Sequence, residues 1–353
     1  MGLCGRPADP EEMAVNSKSR KLMAQIVSDS SMLHAKTKLL LLGAGESGKS
    51  TIFKQMRLIN SEAYSEKELA QFKYIIHRNV LDAIKTIIEE CHSREIMLED
   101  ANEDIADQAL LWENDNLNPQ MADSIAKLWA DPGIQRCFDL RAEYQLGDNA
   151  ASFLGDVQRI GAADYLPTTD DALRARVRTS GVVSKEFILK KKPYLMYDVG
   201  GQRSERHNWL PLFDHVSAMI FVCAISEYDK VLAEDRSKNR MHESLELFTQ
   251  VANSKHFSQT DIIIFFNKKD LFAEKIKRVD PKEWFPEYKG GCDFSAAEEF
   301  FKELFRSRVE SKEKTVYTYT TCATDTGAME AIFLVCTDML LGSIEKAMGI
   351  GDF

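Results

Sequence analysis

The stretch Gly43-Ala44-Gly45-Glu46-Ser47-Gly48-Lys49-Ser50 restricts the fold more than any other part of the chain. It fits the pattern G-x-x-x-x-G-K-[ST], in which glycines let the backbone bend and turn successive N–H groups toward phosphate oxygens. Lys49 can reach the outer phosphates, and the Ser50 hydroxyl can hold Mg2+. An apolar run at 39–42 reads as a buried strand before it, and helical character resumes at 51–58 after it. Strand, loop and helix in that order place the positive end of a helix against the same anion.

The rest of the chain divides by periodicity. From 62 to 172 the pattern is almost purely helical. Ser65 and Glu68 form a capping box, and Phe72, Ile76, Val80, Ile84, Ile87 and Ile88 follow at helical period. Further helices are expected over 105–112, 121–129 and 150–160, separated by turn signals at Asn118-Pro119 and Asp131-Pro132-Gly133. After Val177, strand-like runs at 187–189, 194–197, 219–224, 262–266 and 316–319 alternate with helices. That alternation predicts a parallel-type α/β sheet whose first strand is the distant 39–42, so the helical block 62–172 is inserted into an α/β domain. In residues 1–35, Leu22, Met23, Ile26 and Val27 fall at helical spacing, as an amphipathic helix that either stands free or packs on its own domain.

Composition narrows the class. The 353 residues leave room for about two domains, and 44% apolar with 28% charged residues excludes wholesale disorder. A formal charge of -10 argues against a nucleic-acid binder held by bulk electrostatics. No apolar run approaches the roughly 20 residues that span a bilayer, and the start MGLCGRPADP lacks the pattern of a secretory signal. Seven scattered cysteines without a Cys-x-x-Cys fit a reducing compartment, and most read as small core residues.

Four further constellations carry chemistry. Asn267-Lys268-Lys269-Asp270 follows the strand at 262–266, where a loop faces a ligand crevice. A carboxylate there can accept from the N1–H and exocyclic amine of guanine, and adenine would leave it unpaired. Such a bond discriminates by ~10⁴–10⁵. Asp198-Val199-Gly200-Gly201-Gln202 follows the strand at 194–197. Asp198 can hold the Mg2+ shell, Gly201 can offer an N–H to a third phosphate, and Gln202 can orient a water in line with it. Arg174, Arg176 and Arg178 precede Thr179 and Gly181. One guanidinium there suits charge spread over phosphate oxygens and Thr179 a second Mg2+ hydroxyl, with a solvated basic loop as the alternative. Thr321-Cys322-Ala323-Thr324 follows the last strand, where Ala323 lets a backbone N–H approach a base edge and Cys322 packs beside it.

Together these motifs resemble those of heterotrimeric G-protein alpha subunits. KLLLLGAGESGKST, LRARVRTSGV, DVGGQRSERHNW, VLAEDRSKNRMHES, FFNKKDLF and TCATDT follow that family's motifs, and the helical insertion falls in the same place. The resemblance covers the chain from about Lys38 to Leu341. It implies a Ras-like P-loop GTPase domain (36–61 and 173–353), an inserted all-helical domain (62–172) and an N-terminal helix and lipid-anchor segment (1–35). GTP or GDP with Mg2+ would lie between the two domains.

By the same resemblance, Arg176 takes the place of a built-in arginine finger and Gln202 that of the water-orienting glutamine. Ser50 and Thr179 would be Mg2+ ligands, and Glu46 would pair with Arg176. Gly43, Ser47, Gly48, Lys49, Thr51, Gly200, Gly201, Asn267, Lys268, Asp270, Cys322 and Ala323 would contact the nucleotide, with Asp148, Asn149, Leu173 and Arg174 facing it from the lid side. GTP would order the loops around Thr179 and Gln202, and hydrolysis would release them. The implied partners are a beta-gamma dimer, a membrane receptor, an effector enzyme and a GTPase-accelerating regulator that meets Gly181. The implied place is the cytoplasmic face of the plasma membrane, held peripherally by lipid at Gly2 or Cys4. Two departures stand at the ends: Arg6 replaces the Ser or Thr of the myristoylation pattern, and the tail carries Met348 where the family has cysteine.

A hydrolysing switch is therefore the leading expectation. A GTP-binding scaffold with fast exchange and little dependence on hydrolysis or receptor is the second. A P-loop ATPase or kinase is the third, and Asp270 opposes it.

Overall fold

The apolar run after Lys38 becomes the middle of a sheet. A computed structural model describes residues 37–60, 62–113, 116–189, 192–214, 216–258 and 260–347. The expected N-terminal helix over 1–35, the lipid positions Gly2 and Cys4, and the tail from Met348 lie outside the described residues. Along the chain run β1 (Thr37–Leu42), α1 (Lys49–Ile59), α2 (Glu66–Ser93), α3 (Asp100–Leu110), α4 (Pro119–Ala130), α5 (Pro132–Asp139), α6 (Ala150–Gly155), α7 (Val157–Ile160) and α8 (Thr169–Arg174). There follow β2 (Val182–Leu189), β3 (Lys192–Val199), β4 (Ala218–Ala224), α9 (Arg240–Ala252), β5 (Asp261–Asn267), α10 (Lys269–Lys275), α11 (Phe294–Arg306), β6 (Val316–Thr320) and α12 (Thr326–Ala347).

These elements form two compact units. One joins the described chain up to Glu62 with Arg178–Asp229 and the chain from Lys238 onward. The other joins Ala63–Val177 with Lys230–Ser237.

The first unit holds the sheet, in the order β2-β3-β1-β4-β5-β6. β1 pairs in parallel with β3 and β4, β4 with β5, and β5 with β6. Successive side chains point to opposite faces. Leu40, Leu42, Phe221 and Ile264 enter one core with Phe248 of α9 and Phe301 of α11. Leu39, Leu41, Val222 and Ile263 enter another with Ile52 of α1 and Phe333 of α12. Burial on both faces is why these strands read as unbroken apolar runs.

The outer strand is the exception in the expected parallel-type sheet, because β2 runs antiparallel to β3, from Val182 opposite Val199 to Leu189 opposite Lys192. Two residues separate the strands, far short of the dozen or so that a parallel crossover needs.

The second unit is helical. α2 starts at the expected capping box: the Glu68 N–H donates to Ser65 Oγ at 3.4 Å, and the Ser65 N–H donates to the Glu68 carboxylate at 2.9 Å. Its apolar stripe, Ile76 to Ile88, packs with Ile125 and Leu128 of α4, Ile134 of α5 and Phe153 of α6. Asp131-Pro132-Gly133 does more than separate helices. Asp131 caps α5 by accepting the Gly133 N–H at 2.7 Å, and Pro132 takes the first helical position, where its missing N–H costs nothing. The helix expected over 150–160 breaks at Asp156 into α6 and α7. Four of the described cysteines, Cys91, Cys137, Cys223 and Cys336, are buried as expected of core residues. Among the described residues no helix is long and apolar enough to cross a membrane.

Candidate functional site

The 43–48 loop is tight enough to require its glycines. Gly43 and Gly48 hold φ of 143° and 101°, the region that side chains rarely adopt. A Cβ at Gly43 would stand 2.2 Å from the Val222 carbonyl oxygen, and one at Gly48 would stand 2.1 Å from Asn267 Nδ2. Gly48 directly precedes α1, so the first N–H groups of that helix open onto the loop. Lys49 folds back and donates to the carbonyls of Gly43 at 2.9 Å and Ala44 at 2.8 Å. Burial pulls its ammonium down to about 8, and Asp198 opposes that shift. Ser47 is buried and its hydroxyl has no hydrogen-bond partner. Thr51 lies in the first turn of α1, half-buried.

Three oxygen groups meet at the foot of this loop. Ser50 Oγ donates to Asp198 Oδ2 at 2.7 Å and lies 2.6 Å from Thr179 Oγ1. Asp198 is 2% exposed, its Oδ1 has no partner, and burial pushes its carboxyl up against the opposing pull of Lys49. Two hydroxyls and a carboxylate suit a small, hard cation that completes its shell with water and phosphate oxygens. No group of three or more His, Cys, Asp or Glu side chains poised for a metal occurs among the described residues.

The 198–202 loop presses directly on the phosphate loop. A Cβ at Gly201 would come within 2.3 Å of Lys49 Nζ and 2.6 Å of the Gly43 and Ala44 carbonyls. Gln202 lies over Gly45, and its buried Oε1 has no hydrogen-bond partner. Ser47 Oγ, Asp198 Oδ1 and Gln202 Oε1 are thus three orphaned buried polar atoms around one loop. Proteins rarely leave such groups unpaired except where a ligand or water completes them.

Asn267 rivets the loops together. Its Nδ2 donates to the Ser47 carbonyl at 3.0 Å, and its Oδ1 accepts from the Ala323 N–H at 2.9 Å and Thr321 Oγ1 at 3.2 Å. The Ala323 N–H, expected to face a base edge, is therefore donated to Asn267. Lys268, with a left-handed φ of 66°, stands at the N-cap position of α10 without a side-chain cap bond, and Asp270 stands exposed in that helix's first turn. The half-buried Cys322 has its Sγ 3.2 Å from Thr324 Oγ1.

Two charge hubs escaped the motif reading. Arg240 donates to Glu46 at 2.9 Å and to Glu227 at 3.2 Å, and Glu227 accepts from Lys268 at 2.7 Å. The phosphate loop and the 267–270 loop are thereby linked through buried side chains. Glu243 accepts from Arg203 at 2.7 Å and Arg206 at 2.8 Å, with Lys238 at 3.3 Å, and these cations, Arg203 first, hold its carboxyl at about 2. Gln55 was also unassigned: it is buried in α1 and donates to the Ala323 carbonyl at 2.8 Å.

The remaining candidates sit in the helical unit. Arg174 pairs with Asp170 at 2.7 Å, and Leu173 is buried. The exposed Arg176 is held through its backbone, its N–H donating to Asn79 Oδ1 at 2.8 Å and its carbonyl accepting from Asn79 Nδ2 at 3.2 Å. Asn149 donates to the same Asn79 oxygen at 2.9 Å and to the Arg174 carbonyl at 3.1 Å. Asp148 pairs with Lys230 at 2.9 Å. Asn79 fixes the arginine segment from a helix nearly a hundred residues earlier, and no local pattern marks it.

Comparison with known proteins agrees with the resemblance over nearly the whole length. A family model described as G-protein alpha subunit matches residues 16–340. The guanine nucleotide-binding protein subunit alpha of Emericella nidulans is 41% identical over 352 residues, which is 98% of this chain and 99% of the relative. The G-protein complex alpha subunit gpaA of Aspergillus fumigatus gives the same identity and the same coverage. The guanine nucleotide-binding protein subunit alpha of Cochliobolus heterostrophus is 41% identical over 345 residues, covering 96% of this chain and 98% of the relative. Matched by that family model over most of its length and 41% identical to these relatives across nearly all of both chains, this chain belongs to the G-protein alpha-subunit family.

Proposed function

We propose that the phosphate loop, the 198–202 loop and Thr179 bind GTP together and hydrolyse it slowly, so that the chain switches between a beta-gamma-bound and an effector-bound state. Family membership makes the chain a guanine-nucleotide-binding GTPase and signal transducer. The residue assignments are our reading. The sheet unit is the GTPase domain, and the helical unit is its inserted lid domain.

The observation that carries this reading is the Thr179–Ser50–Asp198 hydrogen-bonded chain at the foot of the phosphate loop. Three segments far apart in sequence, the start of α1, the end of β3 and the residues before β2, converge there on one oxygen cluster. Thr179 donates to Ser50, Ser50 donates to Asp198, and one Asp198 oxygen stays open. Ser50 and Thr179 would hold Mg2+, with Asp198 accepting from its waters. When bound, Mg2+ neutralises charge on the outer phosphates.

The chain's own residues do the remaining work. Lys49 exchanges its carbonyl partners for phosphate oxygens. The backbone N–H groups of residues 46–51 and of Gly201 point charge-complementary donors at the phosphates. Gln202 turns its orphaned Oε1 toward the attacking water and aligns it, and Arg176 brings a guanidinium to the developing charge. Asp270 pairs with guanine, while Lys268 and Cys322 pack beside it. By the family resemblance, Asp148, Asn149, Leu173 and Arg174 would also contact the nucleotide.

A membrane receptor, an effector enzyme and a GTPase-accelerating regulator complete the cycle. Lipid at Gly2 or Cys4 holds the chain peripherally at the cytoplasmic face of the plasma membrane.

Gln202→Leu tests the reading. Single-turnover GTP hydrolysis should slow by roughly 10² or more, with nucleotide still bound. An unchanged rate removes Gln202 from the chemistry.

A further inference from the structure

The stretch 175–181 joins α8 to β2 and belongs to no helix or strand. Its backbone groups must therefore find partners elsewhere. Ala175 is 4% exposed in the core of the helical unit, and Arg176 after it is exposed. One side chain of α2 takes both backbone groups of Arg176. Asn79 Oδ1 accepts the Arg176 N–H at 2.8 Å, and Asn79 Nδ2 donates to the Arg176 carbonyl at 3.2 Å. The clasp is braced from a third segment. Asn149 Nδ2 donates to the same Asn79 oxygen at 2.9 Å and to the Arg174 carbonyl at 3.1 Å. The guanidinium lies beside that brace, since a Cβ at Gly147 would stand 3.7 Å from Arg176 Nη1 and 2.7 Å from Asn149 Oδ1.

We propose that Asn79 is a positioning residue for GTP hydrolysis, clamping the backbone of Arg176 so that its guanidinium swings from a fixed point. A carboxamide carries an acceptor and a donor in one plane, so it can pair with the N–H and the carbonyl of one residue as a neighbouring strand would. Aspartate offers acceptors only, and alanine offers neither. The long arginine side chain carries any shift of its backbone to the reacting atoms, where a misplacement of about 1 Å can cost roughly 10²-fold in rate. The proposal rests on the role given to Arg176 above. The competing reading makes Asn79 a staple that only stabilises the helical unit, tying α2 to Asn149 and the end of α8.

The test is a double-mutant cycle in the full-length chain. Wild type, Asn79→Ala, Asn79→Asp, Arg176→Ala and the double variant Asn79→Ala/Arg176→Ala are loaded with GTP without Mg2+. Single-turnover hydrolysis is then started with Mg2+, and GTP affinity and melting are measured alongside. Asn79→Ala should slow hydrolysis about tenfold with GTP affinity within about twofold of wild type. Asn79→Asp keeps the acceptor and loses the donor, so its rate should fall between the two. In the Arg176→Ala background, Asn79→Ala should change the rate less than about twofold, because nothing is left to position.

A wild-type rate in Asn79→Ala overturns the proposal. So does the same fractional slowing in both backgrounds, which is what a general staple would give. If Asn79→Ala fails to fold, the nearly isosteric Asn79→Asp replaces it in both backgrounds under the same criterion. If neither folds, hydrogen exchange in wild type decides, and an Arg176 amide that exchanges as fast as an unstructured peptide overturns the proposal. An Arg176→Ala that hydrolyses at the wild-type rate would instead defeat the underlying assignment, a result separable from any failure confined to Asn79.

Discussion

A single methyl group at Gly201 has nowhere to go. It would meet the Lys49 ammonium and two phosphate-loop carbonyls at once, and only the ammonium could retreat. Gly201→Ala should therefore keep the 198–202 loop off the phosphate loop. GDP should still bind, because its phosphates need only the 43–51 segment. GTP hydrolysis should fall by about tenfold or more, as a single-turnover assay would register. Asp270→Asn acts on the base instead, replacing an acceptor pair with one acceptor and one donor. Guanine binding should weaken and base choice relax, and competition among GTP, ATP and XTP would expose the change. Residues of this kind were legible because their spacing is local. Glu46, Arg240, Glu227 and Lys268 were not legible as a network, since Glu46 and Arg240 stand 194 positions apart and no periodicity joins them.

Elements were legible where burial or capping dictated them. The central strands are buried on both faces, and α2 carries its start signal in Ser65 and Glu68. Strand direction was not legible, because β2 has the same side-chain alternation either way and only the short connection to β3 reverses it. The start of α5, Asp131-Pro132-Gly133, reads as a turn because Asp-Pro-Gly suits both a turn and a capped helix start. His77 gives α2 a pH dependence. It is 2% exposed, its Nε2 donates to the Ile160 carbonyl at 3.1 Å, and its Nδ1 accepts the Leu117 N–H at 3.0 Å, so it is neutral. Burial lowers its pKa below that of the unfolded chain, about 6.5. The unfolded state then binds more protons as pH falls below about 6.5, and stability drops until the folded-state value is passed. Thermal melts from pH 7.5 to 5.5 should show this loss in wild type. His77→Gln should melt lower at pH 7.5, by roughly 1–3 kcal/mol for the unpaired Leu117 N–H, yet fall less steeply with acid. Parallel slopes would remove His77 as the source.

For the whole molecule, the sequence already distinguished a helical block interrupting an α/β chain, and two compact units are what the structure contains. It did not indicate that Lys230–Ser237, between β4 and α9, groups with the helical unit, because that segment carries no periodic signal. The oxygen cluster comes from the same long-range assembly: the start of α1, the end of β3 and the residues before β2 converge where Ser50 meets Asp198 and Thr179. The most direct measurement is single-turnover phosphate release by the purified full-length chain, with GTP or ATP and with or without Mg2+. The account predicts one phosphate per chain from GTP only, dependent on Mg2+, at ~10⁻² s⁻¹, a value carried over from the family. No release above the uncatalysed background, or equal release from ATP, would contradict it.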